Sequence, residues 1–152
     1  MLKKTKLNIS YTIVGYGVLE NDIRQFVKKE NLEEKVNIVI NPNNINHYYA
    51  KASVFLQSSI FEGMSNTLME AMSFSLPIIA TSVGDTNILV EEKINGYLCQ
   101  PKNVNQIMEK LYLTISNKEK RLLLGQNSYD KIQNGFSLEV FSNKYINLIE
   151  NL

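Results

Sequence analysis

The chain has 152 residues, of which 44% are hydrophobic and 20% charged, and its 16 basic and 15 acidic side chains leave a formal charge of +1. That length fits one compact domain with a sizeable core, and nothing in the near-neutral balance points to a nucleic-acid surface or a polybasic membrane patch. Cys99 is the only cysteine, so no internal disulfide can form, and a reducing compartment is expected.

The opening, MLKKTKLNISYTIVGYGVLE, sets lysines before an apolar run. The run holds Asn8, Ser10, Thr12 and two glycines, and no small-x-small cleavage site follows, so a secretory leader is not expected. No stretch approaches the ~18–20 apolar residues of a spanning helix. ISYTIV (9–14) predicts a buried strand ending at Gly15, and Leu19, Ile23, Phe26 and Val27 then recur at helical spacing. VNIVI (36–40) is a second strand, stopped by NPNN. A short helix over 45–51 leads to a third strand in SVFLQS. The next helix covers 66–74 and Pro77 ends its pattern; PIIAT is a fourth strand. After VGDT, Ile88, Leu89 and Val90 mark a short helix, and NGYLC (95–99) a turn into a last strand. Beyond it the chain is helical. Val104, Ile107, Met108, Leu111, Tyr112 and Ile115 form a one-sided apolar stripe, 118–133 a second helix, and Leu138, Phe141, Tyr145, Leu148, Ile149 and Leu152 a third, with Ser137 as N-cap. No internal repeat or linker interrupts the order. Strand-helix units with near-continuous apolar strands predict an α/β fold, a Rossmann-like doubly wound parallel sheet with helices on both faces and a helical tail. In such sheets ligands bind outside the carboxyl ends of the strands.

Between Ala52 and Gly84 the only charged residues are Glu62 and Glu70, where the chain's own 20% share would give about seven. Charged side chains are rarely buried, so this segment belongs at the heart of the domain, and each carboxylate needs a reason to be there. TLME (67–70) fits a capping box, with Thr67 as N-cap and Glu70 at its third position. Glu62, before Gly63, has a weaker bland reading, as a solvated loop residue. The functional reading uses the same geometry. A helix starting near Asn66 places Glu70 one turn in, with Glu62 in the loop leading to the same mouth. The mouth's free N–H groups suit phosphate, and ionised carboxylates, being pure acceptors, suit hydroxyls. A nucleotide diphosphate sugar offers both.

EGMSNTLMEA resembles the E-x7-E motif of family-4 glycosyltransferases, retaining enzymes of the GT-B fold. YTIVGYG is similar to that family's strand and G-x-G, and YYAKASVFLQSSIFEG to its "yyakadvfvlpS-x-x-EG" segment. SLPIIATSVGDTNILVEEKINGYLCQP is similar to its "GlPvvatdvGg-pelvedg-nGllv-p" segment. The resemblance implies that residues 1–152 are a single nucleotide-sugar-binding domain, the C-terminal half of a GT-B enzyme. Glu70 would then bind the ribose hydroxyls of the donor. Glu62 would lie at the donor sugar as the catalytic carboxylate. Gly63, Met64, Ser65, Asn66 and Thr67 would offer backbone N–H groups to sugar and diphosphate. Gly15 and Gly17 would shape the floor near the phosphates, and Ile40 and Asn41 would lie along the base.

The implied chemistry is transfer of a hexosyl-type sugar to an acceptor hydroxyl with the anomeric configuration kept, in bacterial surface polysaccharide or glycoconjugate synthesis. Fixed dipoles would stabilise the charge developing on the leaving diphosphate. No cofactor and no metal are expected; the substrate is a uridine- or guanosine-linked sugar rather than an adenosine-linked one. The expected partners are this donor and an N-terminal acceptor domain, in cis or as a separate chain, without nucleic acid. The expected location is cytoplasmic, with a peripheral place at the inner membrane face contributed by the other half. The family's diphosphate-binding Arg and Lys come from a unit upstream of G-x-G. Lys3, Lys4 and Lys6 lie too close to Gly15 to be those residues, so the isolated chain is expected to bind donor weakly and to transfer little or nothing. Smaller departures are Ser75 and Ile40 where the pattern favours Gly, and Ser58 where it favours Pro.

Three other readings compete. GYG as a dinucleotide fingerprint lacks its third glycine, since Glu20 stands there. Glu62 and Glu70 could be the paired carboxylates of a glycoside hydrolase. A non-catalytic nucleotide-sugar-binding module is the third. His47, the sole histidine, reads as a surface or packing residue, Cys99 as a small core residue, and the tail aromatics as core.

Overall fold

The computed structural model describes residues 7–151. Lys3, Lys4, Lys6 and Leu152 lie outside them. The described residues cluster into two compact units, the first ending at Asn46 and the second starting at His47.

In the first unit β1 (Tyr11–Val14) runs parallel to β2 (Val36–Val39), in register from Tyr11 opposite Val36 to Val14 opposite Val39. The crossover is α1 (Glu20–Lys29), with acids in its first turn and Lys28 and Lys29 in its last, a sequence matched to the helix dipole. Of the predicted stripe on α1, Val27 is buried, whereas Leu19 and Phe26 stay about 60% exposed.

The second unit takes all of α2 (Asn46–Lys51) except its first residue, and contains β3 (Phe55–Gln57), α3 (Asn66–Ser73), β4 (Ile78–Thr81), α4 (Thr86–Leu89) and β5 (Gly96–Cys99). The strands pair in the order β3-β4-β5, all parallel. The predicted alternation is therefore present, a Rossmann-like α/β arrangement, with the hydrogen-bonded ladders divided between a two-stranded and a three-stranded sheet. Burial from end to end holds for β4 alone. It lies between two ladder partners and is also touched by α3, α5 and α6, while Tyr11 and Thr12 of β1 are exposed.

The core joins Ile79, Tyr97, Cys99 and Leu124, with Leu56, Ile107 and Leu111 packed against it. Each fully buried aliphatic side chain there contributes about 1.5–3 kcal/mol. On α5 (Val104–Ser116) the inward face is Ile107, Leu111 and Thr114, so the predicted stripe is rotated: Val104, Met108 and Tyr112 are exposed. α6 (Lys118–Phe136) buries Leu124, Gly125, Ser128 and Ile132. The small residues allow close approach. A Cβ on Gly125 would come 2.1 Å from the Ser75 carbonyl oxygen, and the Ser128 hydroxyl donates to the Asn95 carbonyl at 3.0 Å. α7 (Leu138–Glu150) starts on Ser137, whose side chain accepts from the Val140 N–H as predicted. It has no buried residue, and Phe141 and Tyr145 are mostly exposed and stacked on each other. The expectation of a tail aromatic core is thus corrected. The stripe is helical in period, but α6 covers too little of it to bury it.

Among the described residues no helix is long and apolar enough to cross a membrane.

Candidate functional site

α3 begins at Asn66, the start that the two-carboxylate geometry requires. Its N-cap is Ser65, in extended conformation, accepting from the Leu68 N–H. The predicted capping box is therefore wrong: the cap falls two residues earlier, Leu68 takes the third position, and Glu70 is free of that task. Ser65 wins because it is buried and its oxygen also joins a part-buried hydrogen-bonded network that Thr67, exposed, reaches only at its edge.

That network fixes Glu62. β3 ends on Gln57, whose Nε2 donates to Glu62 Oε1 at 2.7 Å, and Ser59 Oγ donates to the same oxygen at 2.6 Å. The Gln57 amide also meets Ser65 Oγ, from Nε2 at 3.1 Å, and Ser65 Oγ lies 3.0 Å from Thr67 Oγ1. The backbone is pinned as well. Buried Thr81, at the end of β4, donates its hydroxyl to the Ser59 carbonyl at 2.5 Å. Gly84 lies against the Glu62 carbonyl with φ +51°, a left-handed conformation that favours glycine. Glu62, Ser65 and Thr67 thus belong to one hydrogen-bonded cluster.

Glu70 is held separately. Tyr49 of α2 donates its hydroxyl to Glu70 Oε2 at 2.9 Å. The Tyr49 ring is 6% exposed, stacked on Phe74 and tilted against Phe55, so the donor is fixed. Burial first, then the hydrogen bond and the charge of Glu70, push the Tyr49 phenol well above its usual range. Glu62 and Glu70 share no hydrogen bond; they are anchored independently, at the loop and one turn into the helix.

Among the described residues no N–H group from Gly63 to Thr67 has an acceptor. A Cβ on Gly63 would meet no protein atom within 4 Å. Gly63, Met64, Asn66 and Thr67 are exposed, and Ser65 is buried.

In the first unit Gly15, Gly17 and Ile40 line one concavity of about 370 Å³ with Ile13, Ile38 and Tyr16. Asn41 is not on that lining and has φ +43°. Ile40 follows the last residue of β2 and is half-buried, so the side chain that replaces the pattern's Gly forms part of the wall.

Tyr49, Gln57, Ser59, Thr81 and Gly84 were not singled out from sequence. The signal at Gln57 was present: it is a polar residue where the quoted pattern has an aliphatic one. Cys99 is a buried core residue, its thiol pushed up mainly by burial. His47 is exposed, with its ring edge against Tyr48. No group of three or more His, Cys, Asp or Glu among the described residues is placed to hold a metal ion.

A parallel α/β frame of this form, closing in a helical tail, is that of the GT-B glycosyltransferases. The chain belongs to the family described as glycosyl transferases group 1, whose family model matches residues 1–131. It is 34% identical over 117 residues, 76% of its length and 33% of the relative's, to an uncharacterized glycosyltransferase of Haemophilus influenzae. It is 27% identical over 146 residues, 93% of its length and 38% of the relative's, to the UDP-Gal:alpha-D-GlcNAc-diphosphoundecaprenol alpha-1,3-galactosyltransferase of Escherichia coli. Among solved structures it resembles the C-terminal domain of a glycosyl transferase group 1 family protein, LpcC, from Francisella tularensis. There the TM-score is 0.80 at 26% identity, covering 90% of this chain and 74% of that one. The chain spans about a third of the length of the curated relatives it matches.

Proposed function

We propose that this chain is the donor-binding half of a retaining, family-4-type glycosyltransferase. It holds a nucleotide diphosphate sugar whose hexosyl group passes to an acceptor hydroxyl, in bacterial surface polysaccharide or glycoconjugate synthesis at the cytoplasmic side. The observation that carries this reading is the open start of α3: among the described residues the N–H groups from Gly63 to Thr67 have no protein acceptor, and the segment that carries them is flanked in the chain by two independently anchored carboxylates. Free amides at the positive end of a helix attract a diphosphate, and carboxylates already oriented by protein donors accept ligand hydroxyls without further ordering. Glu70 takes the ribose hydroxyls, Glu62 those of the donor sugar, and no metal is needed to bind the diphosphate. The likeness to a C-terminal domain of a group 1 protein supports the half-enzyme reading. The relative named for a UDP-Gal donor and an alpha-1,3 product supports the donor class.

The test is a thermal-shift panel of uridine, guanosine and adenosine diphosphate sugars on the wild-type chain and on Glu70→Gln. One base class is expected to raise the melting temperature, and the substitution to weaken that rise. Equal shifts in both proteins would remove Glu70 from the site, and no shift from any donor would overturn the donor-binding reading.

A further inference from the structure

The geometry points to Gln57 as a positioning residue that, with Ser59, aims one oxygen of Glu62 at the donor sugar. The inference rests on the donor-binding reading above and adds a residue to it.

Both protein donors fall on the same atom. Gln57 Nε2 and Ser59 Oγ reach Glu62 Oε1 at 2.7 and 2.6 Å, and no donor among the described residues reaches Oε2. A carboxylate gripped through one oxygen has its plane fixed and its other oxygen available to a hydroxyl. The amide's orientation follows from the same contact: an ionised carboxylate only accepts, so the nitrogen of Gln57 must face Glu62, and Ser65 Oγ then lies within reach of both amide atoms, 3.1 Å from Nε2 and 3.2 Å from Oε1. Gln57 therefore spans from the sugar-facing carboxylate to the residue that caps α3. It ties the position of Glu62 to the helix mouth where the diphosphate would sit. The aliphatic residue that the quoted pattern carries at this place can do neither. The mode of holding Glu62 is a property of this chain's own residues.

The experiment compares binding of a nucleotide sugar with binding of the bare nucleotide. The chain, Gln57→Leu and the uncharged, similarly sized Gln57→Met are titrated at pH 7.5 with UDP-galactose and with UDP, and in parallel with GDP-mannose and GDP. Wild type is expected to bind one sugar form more tightly than its bare nucleotide. Both variants are expected to lose that preference, at least fivefold, while affinity for the bare nucleotide stays within twofold. A purely structural role would weaken both ligands together. If either folded variant keeps the sugar preference, or if wild type has none, Gln57 does not act through Glu62 on the sugar, and the donor-binding reading stands. If wild type binds none of the four ligands, that reading fails, and this inference with it.

Discussion

Gly84 packs against the main chain of Glu62 so closely that a Cβ at position 84 would lie 1.9 Å from the Glu62 carbonyl oxygen. The turn after β4 and the loop after β3 are therefore in backbone contact, and only glycine permits it. Gly84→Ala would have to shift one of the two loops and hold alanine at a positive φ. The expected loss is about 2–4 kcal/mol in urea unfolding, with weaker sugar-dependent donor binding in whatever fraction folds, because the displaced segment carries Glu62.

The Tyr49–Glu70 pair sets an alkaline limit. The Tyr49 phenol is raised above its ordinary value of 10.0 by burial and by Glu70, so the folded state keeps its proton where the unfolded state loses it. Its contribution to stability is complete below about pH 10 and falls as pH climbs from there toward the raised native value. Tyr49→Phe is expected to be about 1 kcal/mol less stable at pH 7, having lost one hydrogen bond. Above pH 10 its unfolding free energy should decline less steeply than that of wild type. Parallel curves from denaturant titrations at pH 8 to 11 would contradict this.

The two ends of α3 respond differently to substitution. Ser65→Ala removes the cap and one partner of Gln57 and should cost about 1–2 kcal/mol, while Thr67→Ala should cost a few tenths, since Thr67 caps nothing. At the other end the Ser75 N–H bonds the Met72 carbonyl at 2.9 Å, the Leu76 N–H bonds the Ala71 carbonyl at 3.2 Å, and Ser75 has φ +54°. This is a Schellman closure with serine in the left-handed position that glycine normally takes. Ser75→Gly is expected to stabilise the chain by about 0.5–1 kcal/mol, read as a higher urea midpoint at unchanged slope.

Tyr97 is 2% exposed, and its hydroxyl has no hydrogen-bond partner among the described residues. An unmatched buried hydroxyl opposes folding, so Tyr97→Phe should be neutral or up to about 1 kcal/mol more stable. The ring also receives Lys110 and Lys120 at 5.3 and 5.5 Å from its centroid, contacts that phenylalanine retains. A fall of more than 1 kcal/mol would mean that the hydroxyl is satisfied in solution.

Much of the fold was readable because strand and helix periods differ: each strand from β1 to β5 and each helix from α1 to α7 lies where the pattern put it, within a few residues. Burial was less readable. Periodicity tells which residues share a face, not whether a neighbour covers it: of the α5 stripe Ile107 and Leu111 pack against the core while Val104, Met108 and Tyr112 stay exposed, and the α7 aromatics, expected as core, are exposed. At the site, the scarcity of charge around Glu62 and Glu70 singled out both carboxylates. Their anchors could not be read from local sequence: Tyr49 lies 21 residues from Glu70, and Thr81 lies 22 from Ser59, contacts that exist only through tertiary packing. The capping error came from a local motif overruled by such a contact, since Ser65 reaches back eight residues to Gln57.

β4 is enclosed along its whole length, whereas α7 packs on α6 and buries no side chain. Their cohesion must differ accordingly. The C-terminal coil should open and reclose many times for each global unfolding event. Its amides should take up deuterium early, while those of Ile78 to Thr81 wait for the whole second unit to come apart.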